Sequence, residues 1–190
     1  TQEPVAPGES FDYRFTVPDA GTFWYHPHVH GSGPQVDRGL SGLLIVDEES
    51  SPDIDGDVVL QFDDWRIDQD GQIDTESFGN LHDAAHAGRL GNVLTVNGKD
   101  FETVETKSGD RLRLRVVSTC NARILQLGFG ELDPWIVALD GQPVAPHRLG
   151  DRPLVLGPAQ RVDLIVDVIG DKGGRLAISV VSGEPFVAAE

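Results

Sequence analysis

Apolar and polar residues alternate in short runs along this chain, and that period of two commits it to β-sheet. In RLRLRVV, Leu112, Leu114 and Val116 fall opposite Arg111, Arg113 and Arg115, and in RVDLIVDV, Val162, Leu164, Val166 and Val168 share one face. In FDYRFTV, Phe11, Tyr13, Phe15 and Val17 share a face while Asp12, Arg14 and Thr16 take the other, which predicts a half-buried strand. Successive side chains of an extended chain point to opposite faces, so each run can bury one face and wet the other. Gly, Pro and Asp bound these runs, the punctuation of antiparallel sandwiches and barrels. Further strands are predicted over 22–26, 43–46, 58–62, 93–96, 124–129, 135–139 and 176–181. Helix is confined to SFGNLHDAAHAG, a turn or two of connection that Gly88 ends.

The 190 residues suit one large domain or one and a half ordinary ones, and 39% hydrophobic residues are enough for a packed core. At DEESSPDIDGD, residues 47–57, acidic, Ser, Pro and Gly residues displace apolar ones, which predicts a linker over 49–57. Residues 1–48 hold only about three or four predicted strands, too few to close a sandwich, because the apolar face and the edges stay uncovered. Residues 58–190 hold enough for a complete one. The expected architecture is therefore all-β, with one partial and one complete β-sandwich, the first being the C-terminal part of a domain that begins elsewhere.

Charge narrows the partners. Lys plus Arg number 15 against 31 for Asp plus Glu, a formal charge of -16, which disfavours a phosphate backbone or an anionic membrane. Nucleic acid is not an expected partner. The acidic residues come in ones and twos, the pattern of a solvated surface. No apolar run reaches the length of a membrane span, and TQEPVAPGES lacks the basic and apolar regions of a signal peptide. One cysteine, Cys120, permits no intrachain disulfide and leaves the redox compartment open.

The chemistry-bearing stretch is FWYHPHVHG, which places three of the chain's 6 histidines, His26, His28 and His30, at alternate positions. On an extended strand they point the same way and can converge. Imidazole suits copper, zinc, iron and nickel, and spacing alone does not choose between a metal site and an exposed polar strand end. Pro27, which has no N–H, suggests that regular pairing stops there. Aromatic Phe23, Trp24 and Tyr25 lead in, and Gly31 and Gly33 follow, so a rigid packed strand delivers the imidazoles to an open loop.

The run APGESFDYRFTVPDAGTFWYHPHVHGSGPQVDRGLSGLLIVDE resembles the second copper-binding motif of the multicopper oxidases, the laccase-like enzymes, through to the end of their first cupredoxin domain. The likeness rests on the Pro7–Glu9 turn, GTFWYH, HPH and GLSGLLIV. LQFDDWRIDQDGQI, HAGRLGNVLTVNG, CNARILQL and ALDGQPVAP are similar to the second domain of three-domain bacterial members of the copper-resistance type. The resemblance implies Greek-key cupredoxin sandwiches. It implies that His26 and His28 are ligands of the paired type 3 coppers, one to each metal, within a trinuclear copper cluster. His30 then matches a third histidine of bacterial members that lies outside the direct ligands.

Three of the family's four histidine motifs are not in this sequence: the His-X-His of domain one, the His-rich entry of domain three and the His-Cys-His run joining the type 1 copper to the cluster. The expectation is a piece of a larger oxidase, its partners the remaining strands of domain one and a third domain. That parent takes single electrons from a small reducing substrate and reduces dioxygen to water, in a periplasmic or secreted setting that the resemblance alone implies. The competing class is a copper-free cupredoxin tandem acting as a structural or interaction protein, which typically loses the ligand histidines. Copper nitrite reductases and two-domain laccases fit less well, because their second domains carry copper-site residues.

Other candidates have simpler explanations. Cys120 lacks the flanking histidines of a blue-copper loop and is expected to be a small buried residue. His82 and His86 stand four apart on the helical stretch, without the third ligand and Glu of a zinc site. His147 reads as a loop histidine. Asp63, Asp64 and Trp65 are explained equally by a surface near a substrate pocket and by a strand-end turn, and residues 58–190, which lack a Cys and His constellation, are expected to bind no copper.

Overall fold

The computed structural model describes residues 3–170 and 177–181. A hairpin comes first, β1 (Gly21–Tyr25) and β2 (Gly42–Val46), with a short helix α1 (Gly33–Val36) in the connection. A nine-strand body follows: β3 (Gly56–Trp65), helix α2 (Leu81–Ala85), β4 (Val93–Val96), β5 (Arg111–Ser118), β6 (Leu125–Gly128), β7 (Trp135–Leu139), β8 (Gln142–Arg148), β9 (Leu154–Leu156), β10 (Arg161–Asp167) and β11 (Ser179–Val180). Six strands form one sheet in the order β4-β3-β5-β10-β7-β8, and three form a second in the order β11-β6-β9. Pairing is antiparallel except between β3 and β5, whose parallel register from Gly56 with Leu112 to Phe62 with Ser118 requires a crossover.

The two sheets enclose a single core. Leu112, Leu114 and Val116 of β5 and Val162, Leu164 and Val166 of β10 meet Leu125, Leu127, Leu154 and Leu156 of the smaller sheet, all buried. This is the all-β sandwich that the alternation predicted, of the cupredoxin-like kind that the resemblance implies. No helix is long and apolar enough to cross a membrane.

The strand expected over 11–17 does not form. Its alternation is real, but no strand pairs with it among the described residues, and Phe11, Tyr13 and Phe15 stand 49%, 70% and 68% exposed. Alternation selects the residues that share a face, whereas a partner is needed to make the face an inside. Residues 1–48 accordingly hold two strands rather than three or four. β3 begins at Gly56, two residues ahead of the expected start, because the Asp55 N–H already bonds the Arg111 carbonyl. β8 and β9 were not expected. Pro143 and Pro146 disguise β8, which tolerates them as an edge strand, and β9 has only three residues. The last strand is shorter than 176–181, and Leu176 lies outside the described residues.

The reading of β5 as half wet is also corrected. Arg113 and Arg115 are 5% and 1% exposed, because the β1–β2 hairpin covers that face of the large sheet. The Arg115 guanidinium is fully engaged there, whereas the buried Arg113 Nε has no hydrogen-bond partner among the described residues. Arg115 donates to both Asp57 oxygens at 2.8 Å and to Thr22 Oγ1 at 2.7 Å, and Arg113 donates to Glu48 at 2.8 Å. The hairpin seats closely enough that Gly21, at φ +147, lies against the Gly141 backbone, where a Cβ would collide with the carbonyl oxygen.

Candidate metal centre

β1 reads GTFWY and is anchored at its start, with Gly21 and Thr22 buried, and exposed at its end, where Tyr25 is 60% exposed. Its ladder with β2 runs from Gly21 opposite Val46 to Tyr25 opposite Gly42 and stops. His26 is the first residue beyond it, and Pro27, which cannot donate, closes off further pairing.

Two of the three histidines come together. The His26 and His28 rings have centroids 4.5 Å apart with planes tilted by 48°, and the Trp24 indole stacks on the other side of the run, 4.0 Å from the His26 ring and 15° from parallel. Among the described residues no hydrogen bond engages a ring nitrogen of either histidine, so both rings keep donor atoms free. Partial burial, and then the neighbouring His28, hold the His26 pKa below the ordinary imidazole value, favouring the neutral form that metals bind. His30 sits exposed in the turn closed by the Ser32 N–H on the Val29 carbonyl, and it completes no three-donor group with the other two. Two adjacent, tilted imidazoles with free ring nitrogens can serve as ligands to soft or borderline metal ions.

The remaining candidates are placed as follows. His82 of α2 and His86, the residue that caps its end, stack 4.1 Å apart, with His86 Nδ1 2.8 Å from the His82 carbonyl oxygen, and no third donor joins them among the described residues. His147 is exposed on β8, with Nδ1 2.9 Å from the Ala145 carbonyl oxygen, so it belongs to a strand rather than a loop. Cys120 is buried, as expected of a small core residue.

One grouping was not legible in the sequence. Asp63, Asp64 and Cys120 bring donor atoms within 4.8 Å of one another. Asp64 accepts from the Gly91 N–H at 2.5 Å and from Arg123 Nε at 3.2 Å, which balances its charge. Burial pushes the Cys120 thiol far up, which keeps it protonated, and raises Asp63 to about 7, so Asp63 takes up a proton as pH falls through that value. Cys120 lies more than 50 residues from Asp63 and Asp64 in the chain, and no local pattern links it to them.

Comparison with known proteins sets these residues in a family. Two family models, both described as multicopper oxidase, match residues 1–51 and 56–185. The chain is 28% identical to the multicopper oxidase MmcO of Mycobacterium tuberculosis, over 87% of this chain and 37% of that protein. It is 30% identical to the cell division protein FtsP of Escherichia coli, over 87% of this chain and 35% of that one. A crystal structure of a multicopper oxidase from Pseudomonas thermotolerans superposes with a TM-score of 0.85 at 37% identity, covering 93% of this chain and 42% of the other. The chain thus spans little more than a third of the length of these curated relatives.

Proposed function

The chain belongs to the multicopper oxidase family, and from that membership and the His26–His28 pair we propose that it supplies two type 3 copper ligands to an oxidase built from this and further segments. The observation that carries the proposal is the paired arrangement of the two rings, 4.5 Å apart, tilted by 48° and free at their nitrogens. Bound copper supplies the one-electron chemistry by which a small reducing substrate is oxidised and dioxygen is reduced to water.

The protein's own part is positioning. His26 and His28 bind through neutral rings. Trp24, stacked on His26, restricts rotation of that imidazole, and Pro27 fixes the backbone between the two ligands. His30 plays an outer role at most. Residues 1–48 form the end of a first cupredoxin domain, 49–55 a linker that ends where β3 begins, two residues before the expected 57, and the rest a second, copper-free domain. The remaining cluster ligands and the site of electron entry come from strands of domain one and a third domain outside this sequence, in a periplasmic or secreted protein.

The test is copper content and oxidase turnover of the intact protein. His26→Ala and His28→Ala each abolish oxygen reduction with the fold retained, whereas His30→Ala does far less. Full activity in His28→Ala sinks the assignment. A second reading, that of a copper-free structural protein, draws on the similarity to a cell division protein. It predicts an intact protein that purifies and stays folded without copper.

A further inference from the structure

We infer that the second domain positions the histidine segment by gripping it at both ends, at Thr22 and at Asp37, and that Asp37 is a positioning residue for the rings between. The role assigned to the grip rests on reading His26 and His28 as copper ligands.

At the near end, Thr22 is fully buried, its Oγ1 accepts from Arg115 Nη1 at 2.7 Å and its carbonyl accepts from Arg161 Nε at 3.2 Å. Both arginines belong to central strands of the large sheet. At the far end, seven residues past His30, Asp37 caps α1 and turns its carboxylate into the second domain. It accepts from Asn121 Nδ2 and pairs with Arg89 Nη1 at 3.4 Å, the two side chains of the ion pair being 9% and 10% exposed. Arg89 is itself immobilised, donating from Nε to Ser77 Oγ at 2.9 Å and from Nη2 to the Asp74 carbonyl at 3.1 Å, with its guanidinium 4.9 Å from the Phe78 ring centroid. Arg38, next to Asp37, packs over the same ring at 4.7 Å.

A buried ion pair is a poor source of net stability, because desolvating both charges offsets their attraction. What it provides is direction. A carboxylate that is costly to bury, and whose pKa burial raises, has one acceptable seat, against Arg89 and Asn121. Between the anchors, residues 26–36 are held by turn and single-turn helix hydrogen bonds and by Arg38 Nη1 donating to the Pro34 carbonyl at 3.1 Å. Where the two histidine rings stand is therefore set by the ends. On this account the second domain, without binding metal, fixes the ligands of the first.

The intact protein carrying this chain tests it, with Asp37→Ala, Asp37→Asn and, as a stability control remote from the clamp, Val166→Ala. In the metal-free protein, amide exchange over residues 28–36 is expected to quicken at least tenfold in Asp37→Ala, with the sandwich strands unchanged, and by an intermediate factor in Asp37→Asn. Val166→Ala leaves the segment's exchange unchanged relative to the strands. In the copper-loaded protein, release of copper to a chelator quickens at least tenfold in Asp37→Ala and not in Val166→Ala. Unchanged exchange over 28–36, or faster exchange with unchanged copper release, overturns the inference. If Asp37→Ala fails to fold, Asp37→Asn decides, and wild-type behaviour in both measurements overturns it. Full copper retention in His26→Ala refutes the ligand assignment separately, since the exchange measurement needs no metal.

Discussion

Trp24 lies face to face with His26, the ring centroids 4.0 Å apart and the planes 15° from parallel. Stacked face to face, the indole restricts the directions in which the imidazole nitrogens point. Losing such an outer contact typically costs a metal site about 10–100-fold in affinity. Trp24→Ala is expected to weaken copper retention in the intact protein by about tenfold within that range, whereas Trp24→Phe, which keeps a flat face, loses much less. Equal retention in Trp24→Ala and wild type, measured by competition with a chelator, rules out an orienting role.

Arg115 ties together Asp57, Asp163 and Thr22 beneath the hairpin, with its side chain 2% exposed and that of Asp163 6% exposed. Removing one partner of a buried ion pair leaves the other charged and unpaired, at a cost of about 3–5 kcal/mol. Arg115→Met should therefore lower the unfolding free energy by about that amount, read from the denaturant midpoint at unchanged m-value. It should also release the hairpin. A loss below about 1 kcal/mol would mean that water reaches Asp163 freely.

Asp63 makes stability depend on pH in an unusual direction. Its pKa is raised by burial from 3.8 to about 7, so between those values the folded state holds a proton that the unfolded state has released. Stability from this group is complete below pH 3.8, declines as pH rises toward about 7, and is level above that. For one proton the slope approaches about 1.4 kcal/mol per pH unit. Asp63→Asn keeps the acceptor for the Asp64 N–H and cannot ionise, so the variant should gain on wild type as pH rises from 4 to 7, by about 1–3 kcal/mol in all. A stability difference that stays constant over this window contradicts a raised Asp63.

The unpaired run at Phe11, Tyr13 and Phe15 exposes apolar side chains at alternate positions, an arrangement prone to edge pairing. The 190-residue chain by itself is expected to self-associate at micromolar concentration, and Phe11→Ser with Phe15→Ser to reduce this markedly in sedimentation velocity. The same isolated chain should consume no oxygen when copper is added, because it offers each of two coppers one imidazole, whereas stable imidazole sites use three or four protein ligands. A monomeric wild-type chain, or tight binding of two coppers with steady oxygen uptake, goes against these expectations.

What the amino-acid sequence determined by itself was local. A period of two located β5, β7 and β10 to within a residue or so, and the helical stretch is present as α2, which His86 caps two residues before the expected stop at Gly88. HPH at the end of an aromatic strand marked the candidate site, because Pro27 and the alternation are both properties of neighbouring residues. The tertiary structure decided what each face meets. Arg113 and Arg115 alternate like wet residues yet are buried, because a hairpin some 70–90 residues earlier in the chain covers them and brings Glu48 and Thr22 to their guanidiniums. Phe11, Tyr13 and Phe15 alternate like core residues yet are exposed, because no strand lies beside them among the described residues. Asp37 shows no pattern at all, and only its distant partners Arg89 and Asn121 make it an anchor. Periodicity records which side chains share a face, a matter of backbone geometry over a few residues. Burial, pairing and the aim of the histidine segment depend on contacts between residues far apart in the chain, which only the folded arrangement brings together.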